Sequence, residues 1–221
     1  MDLVERTDDL MTNNLKLIQD DELFCFGHDA VELANFVEGT VTDYAADLCS
    51  GNGIIAVLLS GKKGIRTTAV EIDAKLAALA RRNVELNNLC GMTDVINLPI
   101  QRISEVLERG SRSIVVCNPP YFKKGSGFSA KGVAAGARVE LYVTLDEVLA
   151  CAEYLLPHKG RLYMVYSVSR LAELMRLCGN TGLEPKELVI FGVKKPRLCL
   201  IKCVKGAAAG VRVECREVRD Y

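Results

Sequence analysis

From residue 41 onward, short apolar runs alternate with stretches of helical periodicity, and few folds accept such an alternation. Runs at 41–48, 67–72, 94–98, 113–117 and 161–166 have strand length, and stretches at 54–60, 74–88, 103–109, 142–156 and 171–178 read as helices. Asp73 stands as an N-cap before the second helix, Pro157 and Gly160 close the fourth, and Gly179 is expected to stop the fifth. The run Ile114-Val115-Val116-Cys117 contains no polar residue, which predicts a strand buried on both faces, as in a parallel sheet covered by helices. Residues 187–191 and 198–204 form two strands with no helix between them, which implies an antiparallel hairpin at the sheet edge. The expectation is an α/β fold: a mostly parallel seven-stranded sheet with an antiparallel C-terminal hairpin and helices on both faces.

The remainder is divided accordingly. Residues 1–40 are expected to form an N-terminal arm and helix capping the ligand site, 41–206 the core and 207–221 a polar tail. Within the arm, 3–13 reads as a short helix or a capping arm, 15–18 and 23–25 as extended pieces, and 29–37 as a helix with Asp29 near its start. Residues 118–138 are irregular.

The 221 residues suit one domain, and 49% hydrophobic composition supplies a substantial core. Formal net charge is +0, which argues against a nonspecific nucleic-acid coat but permits a local basic patch. Nine cysteines without a C-x-x-C framework, and two histidines, give no metal-site pattern. Cys25, Cys49, Cys117, Cys151 and Cys178 sit among apolar residues and read as buried thiols, which fits a reduced, cytoplasmic compartment. No export signal or run long enough to span a membrane is visible.

Three motifs carry chemistry. The first, Asp47-Leu48-Cys49-Ser50-Gly51-Asn52-Gly53, lies where a strand turns into a helix, the crevice in which open α/β sheets bind ligands. Gly51 and Gly53 allow close backbone approach, and Asp47 is placed to accept hydrogen bonds from a cationic amine, directly or through water. Gly51-x-Gly53-x-x-Ala56 equally satisfies a dinucleotide fingerprint, and a tight turn with no ligand is a third reading. The second motif is Glu71 at the end of the next strand, suited to two ribose hydroxyls, with Ile72 beside it to cover an adenine ring. Its alternative is a solvated helix N-terminus, a role Asp73 suits better. The third is Asn118-Pro119-Pro120-Tyr121, directly after the buried strand. Two prolines fix φ and remove two donors, so the loop is rigid with its carbonyls exposed. Asn118 Oδ1 and the Pro119 carbonyl can then accept from one amino group. A planar exocyclic amine is a poor nucleophile, and two acceptors out of its plane favour a pyramidal nitrogen with a free lone pair, ready to be methylated by a sulfonium donor without a strong base. Tyr121 offers a ring for stacking on a planar substrate. Lys123, Lys124, Lys131 and Arg138, and Lys194, Lys195 and Arg197 between the last strands, are read either as phosphate contacts or as solvated loop charge.

With these motifs the chain resembles the bacterial tRNA1(Val) adenine-37 N6-methyltransferases, which have a Rossmann-like class I methyltransferase fold. The resemblance runs over nearly the whole chain. It rests on Phe24-Cys25-Phe26-Gly27-His28-Asp29-Ala30, the glycine motif, Glu71-Ile72-Asp73, Asn118-Pro119-Pro120-Tyr121-Phe122-Lys123-Lys124-Gly125 and Ala137-Arg138-Val139-Glu140. It implies S-adenosyl-L-methionine as cofactor, held by Phe26, Gly27, Asp47, Gly51, Gly53, Glu71, Ile72, Gln101 and Asn118. It implies catalysis by Asn118, Pro119, Pro120 and Tyr121, with Lys123, Lys124, Lys131 and Arg138 on a tRNA substrate. No metal or membrane is implied, and the oligomeric state is left as monomer or homodimer.

The chain departs from the family in three places. Cys49 stands where Gly is common, tolerable if φ there is negative; Val139 stands where His is common; and no acid follows the third strand, so Gln101 or a backbone group serves the adenine. Two other functions share the Asn-Pro-Pro-Tyr logic or the fold: a protein glutamine N5-methyltransferase acting on release factors, and a catalytically silent RNA-binding relative. An NAD-dependent oxidoreductase leaves residues 118–121 unexplained, and the roughly 40 residues before the first core strand argue against the release-factor enzymes, which carry an extra helical domain.

Overall fold

The computed structural model describes residues 5–21, 23, 27–119, 143–192 and 195–217. Its strands are β1 (Glu5–Asp9), β2 (Lys16–Asp20), β3 (Tyr44–Leu48), β4 (Arg66–Glu71), β5 (Thr93–Asn97), β6 (Ile114–Cys117), β7 (Arg161–Ser167), β8 (Leu183–Phe191), β9 (Leu198–Lys205) and β10 (Arg212–Arg216). The helices are α1 (His28–Phe36), α2 (Ile54–Lys63), α3 (Ala74–Leu86), α4 (Leu145–Leu155) and α5 (Leu171–Thr181).

β3 to β10 form one sheet in the order β10-β8-β9-β7-β6-β3-β4-β5. β3, β4, β5, β6 and β7 run parallel, while β9 is antiparallel to both β7 and β8. The seven expected strands are all there. An eighth, β10, pairs parallel with β8, so the stretch expected as a polar tail carries a strand of the sheet. Two apolar layers bury the two faces: α4 and α5 cover one, through Leu149, Leu155 and Leu177, and α1 and α2 the other, through Leu33, Val57 and Leu59. The central strand β6 is buried at every residue, as its unbroken apolar run predicts.

Local chemistry sets the boundaries. Asp73 caps α3, its Oδ1 accepting from Lys75 N at 2.8 Å and Leu76 N at 3.1 Å. Thr144 and Glu147 close a capping box at the start of α4. Three expectations are corrected. Gly179 does not stop α5; the helix runs on to Gly182, whose φ of 68° supplies the left-handed turn. The short helix expected at 103–109 is a 3-10 turn over Ile100–Glu105, with Ile100 and Ile103 buried at the three-residue spacing such a turn eclipses. Residues 5–9 are not helical: β1 pairs antiparallel with β2, and this hairpin lies against α3.

No helix among the described residues is long and apolar enough to cross a membrane, and none of their His, Cys, Asp or Glu side chains form a group that could hold a metal ion.

Candidate active site

The sheet order places a topological switch between β3 and β6: the chain leaves β3 toward β4 and β5 on one side, then returns to β6 and β7 on the other. Ligands of open α/β sheets enter at the carboxyl ends of strands at such a switch. Leu48 and Cys117 are register partners there, so the glycine loop and Asn118 leave neighbouring strands side by side. Asn118 is half-buried and Pro119 buried.

The loop after β3 turns on three left-handed residues at alternate positions, Cys49 (φ 59°), Gly51 (φ 56°) and Gly53 (φ 82°). The positive φ at Cys49 fails the condition under which Cys is tolerable in place of Gly, and an L residue there carries backbone strain. Gly53 has a second constraint: a Cβ on it would lie 3.0 Å from Ala80 Cβ, so the loop seats directly on α3. This curl places Asp47 under the first turn of α2, where its Oδ2 accepts from Ala56 N at 3.2 Å. Asp47 is fully buried, and Oδ1 has no hydrogen-bond partner among the described residues. Burial pushes its carboxyl up to about 8; the Ala56 amide opposes this and the nearby Glu71 charge adds to it.

Glu71 is the buried acid of the pair, and Asp73, not Glu71, is the helix cap. Its Oε2 accepts from Gly51 N at 2.8 Å and its Oε1 from Asp73 N at 2.9 Å. Burial raises its pKa, against those two amides. The Ile72 amide opposes the rise as well, and the two oxygens together keep a lone pair for a further donor. Next to it Ile72 is 43% exposed, an apolar surface beside a buried acid. Asn97 Nδ2 donates to the carbonyls of Glu71 and Ile72 at 2.8 and 2.9 Å, which fixes the strand end that carries both.

Ser50 Oγ and Asn52 Nδ2 are likewise buried without a partner among the described residues. The orphaned Asp47 Oδ1 and Ser50 Oγ, with two raised carboxyls, suit a ligand bearing positive charge and hydroxyl donors, while the orphaned Asn52 Nδ2 calls for an acceptor. Sequence reasoning missed Ser50, Asn52, Asn83 and Asn97. The available signal was Asn83, a polar residue on the apolar stripe of α3 between Ala80 and Val84.

Other expected site residues are spread differently. Gly27 caps α1, and a Cβ on it would meet Asp29 Oδ1 at 2.5 Å. Gln101 is exposed in the 3-10 turn, its side chain hydrogen-bonded to Glu147 of the α4 capping box. Lys195 and Arg197 are exposed on the β8–β9 connection, at the same sheet end as Asn118 because β8 runs with β7. Phe26, Pro120, Tyr121, Lys123, Lys124, Lys131 and Arg138, with Val139 and Lys194, lie outside the described residues.

A family model described as the methyltransferase small domain matches residues 30–176, which takes in the loop, Glu71 and Asn118. The chain belongs to the methyltransferase small domain family. The chain also has distant but extensive relatives. The tRNA1(Val) (adenine(37)-N6)-methyltransferase of Shewanella sp. strain W3-18-1 is 25% identical over 92% of this chain and 87% of its own. The protein of the same name from Trichodesmium erythraeum is 28% identical over 71% of this chain and 66% of its own. Among solved structures, a predicted O-methyltransferase of Agrobacterium tumefaciens shares the fold, with a TM-score of 0.69, 19% identity, and coverage of 87% and 90% of the two chains. This small-domain methyltransferase therefore keeps its glycine loop, buried acid and Asn118 at the switch point of a Rossmann-like sheet.

Proposed function

We propose that this methyltransferase transfers a methyl group from S-adenosyl-L-methionine to the N6 amine of an adenine in tRNA, next to the anticodon. The observation that carries the reading is the side-by-side exit of the glycine loop and Asn118 from β3 and β6. The donor, when bound, supplies an electrophilic methyl group on a cationic sulfur. Asp47, with its free Oδ1, and the buried Glu71 suit the donor's ammonium and ribose hydroxyls; Ile72 offers an apolar face to its adenine. Asn118 and Pro119 accept hydrogen bonds from the target amine, and Tyr121 stacks on the base. Residues 1–40 cap the cofactor site and 41–206 form the catalytic core, to whose sheet β10 adds an edge strand.

Two things favour RNA over a protein glutamine. Relatives matched over most of the chain are named for adenine 37 of a tRNA. Lys195 and Arg197 stand at the sheet end that carries Asn118, and Lys123, Lys124, Lys131 and Arg138 follow the catalytic motif, a distribution suited to phosphates. An anticodon loop also presents a base that costs little to extract.

The test supplies labelled S-adenosyl-L-methionine with bulk bacterial tRNA and, in parallel, with release factor. N6-methyladenosine after digestion of the tRNA is the expected product, with activity falling as salt rises. Asn118→Ala should lower turnover about a hundredfold or more while changing cofactor affinity less. Methylation of a glutamine side chain with none of tRNA would reject the substrate, and wild-type turnover in Asn118→Ala would reject the role of Asn118.

A further inference from the structure

β2 has β1 on one edge and α3 on the other, and α3 meets that free edge with two asparagines. Asn83 Oδ1 accepts from Ile18 N at 2.6 Å and Asn83 Nδ2 donates to Ile18 O at 3.1 Å. One turn on, Asn87 Oδ1 accepts from Lys16 N at 2.8 Å and its Nδ2 donates to Lys16 O at 2.7 Å. The match is geometric. Two residues along a strand advance about 6.6 Å and four along a helix about 6 Å, so side-chain amides four apart reproduce the ladder a neighbouring strand would offer.

Asn87 is half-buried and its second N–H donates to the Asn83 carbonyl at 2.7 Å; Asn83 points elsewhere. Its second N–H donates to the Asn52 carbonyl at 2.9 Å, in the glycine loop. Asn83 is fully buried and all three of its hydrogen-bonding positions toward backbone are filled. The carbonyl it holds belongs to the peptide unit between Asn52 and the left-handed Gly53, and Asn52 is itself fully buried with its Oδ1 facing Ile54 N at 3.4 Å. We propose that Asn83 is a positioning residue: it sets the Asn52–Gly53 peptide plane for cofactor binding, and through the same amide makes occupancy of the loop and docking of the N-terminal hairpin reinforce each other. The coupling is reciprocal by necessity, so what tightens the loop protects the hairpin. The inference rests on the cofactor reading given above.

Asn87→Ala is the internal control, because it removes two bonds to the same strand and one to the Asn83 carbonyl within α3, and none to the loop. Calorimetry with S-adenosylhomocysteine should show Kd raised about tenfold in Asn83→Ala and within about twofold of wild type in Asn87→Ala. In turnover on bulk tRNA, Asn83→Ala should raise the KM for S-adenosylmethionine with kcat at saturation nearly unchanged. A purely structural loss would lower stability in both variants without that split. A measurement on the wild-type chain needs no variant: exchange of the Ile18 amide should slow on addition of S-adenosylhomocysteine. Equal Kd in the two variants, or Ile18 exchange indifferent to the ligand, overturns the inference and leaves the cofactor reading intact. A wild-type chain that binds no S-adenosylhomocysteine overturns both.

Discussion

Asp47 shows how one buried carboxyl ties stability to ligand. Its pKa rises from 3.8 to about 8, chiefly through burial, so between those values the folded chain holds a proton that the unfolded chain has released. Stability should therefore be greatest below the unfolded value, fall as pH climbs through the window, and level off above about 8. Glu71 is raised for the same reason and adds in the same direction. Melting temperatures of the ligand-free chain should decline from about pH 5 to about pH 8, and Asp47→Asn should make that decline shallower. An unchanged decline in the variant would show that Asp47 is ionised throughout. A cation opposite Oδ1 reverses the preference, so cofactor binding near neutral pH should release a proton, visible as a buffer-dependent binding enthalpy. At this scale the sequence conveyed which residue types serve the site, because Asp47, Gly51, Gly53 and Glu71 each follow from a strand-end position. It did not convey backbone sign: Cys49 is left-handed because the curl between two strand-anchored acids demands it, whatever residue stands there.

Among the elements, those defined by local rules were legible. Asp73 caps α3 by its own side chain, and Asp73→Ala should cost about 1 kcal/mol, a drop in melting temperature of about 2–4 °C for a chain of this size. An unchanged melting temperature would mean that solvent satisfies those amides equally well. Elements defined by distant partners were not legible. β1 has no buried residue and nothing marks it as a strand, whereas the extended piece read at 15–18 overlaps its partner β2, which is held by amides of α3 more than sixty residues away. Gly179 and Gly182 are indistinguishable as stop signals until the first is seen to fit within the helix with nothing within 4 Å of an added Cβ, and the second to take φ 68°. The turn over Ile100–Glu105 begins at Pro99, and tertiary burial of Ile100 and Ile103 selects the tighter 3-10 geometry over a longer helix.

At the level of the whole molecule, the alternation of β and α units fixed the parallel sheet and, through strand order, the place of the site between β3 and β6. What the alternation of β and α units did not foretell is β10, whose five residues are all exposed although Val213 and Cys215 alternate with charged residues along it. Without it the sheet would end on β8, a nine-residue strand bearing Leu188-Val189-Ile190-Phe191 with an unpaired row of backbone donors and acceptors. Such an edge templates pairing with another chain. β10 covers it with Arg212, Glu214 and Arg216, the first paired to Glu187 at 2.6 Å and the last to Glu214 at 2.7 Å. The strand is thus a colloidal safeguard for the sheet edge. A chain ending at Gly206 should keep its cofactor affinity yet scatter light as it concentrates, growing into β-rich aggregates that the complete chain, under the same conditions, does not form.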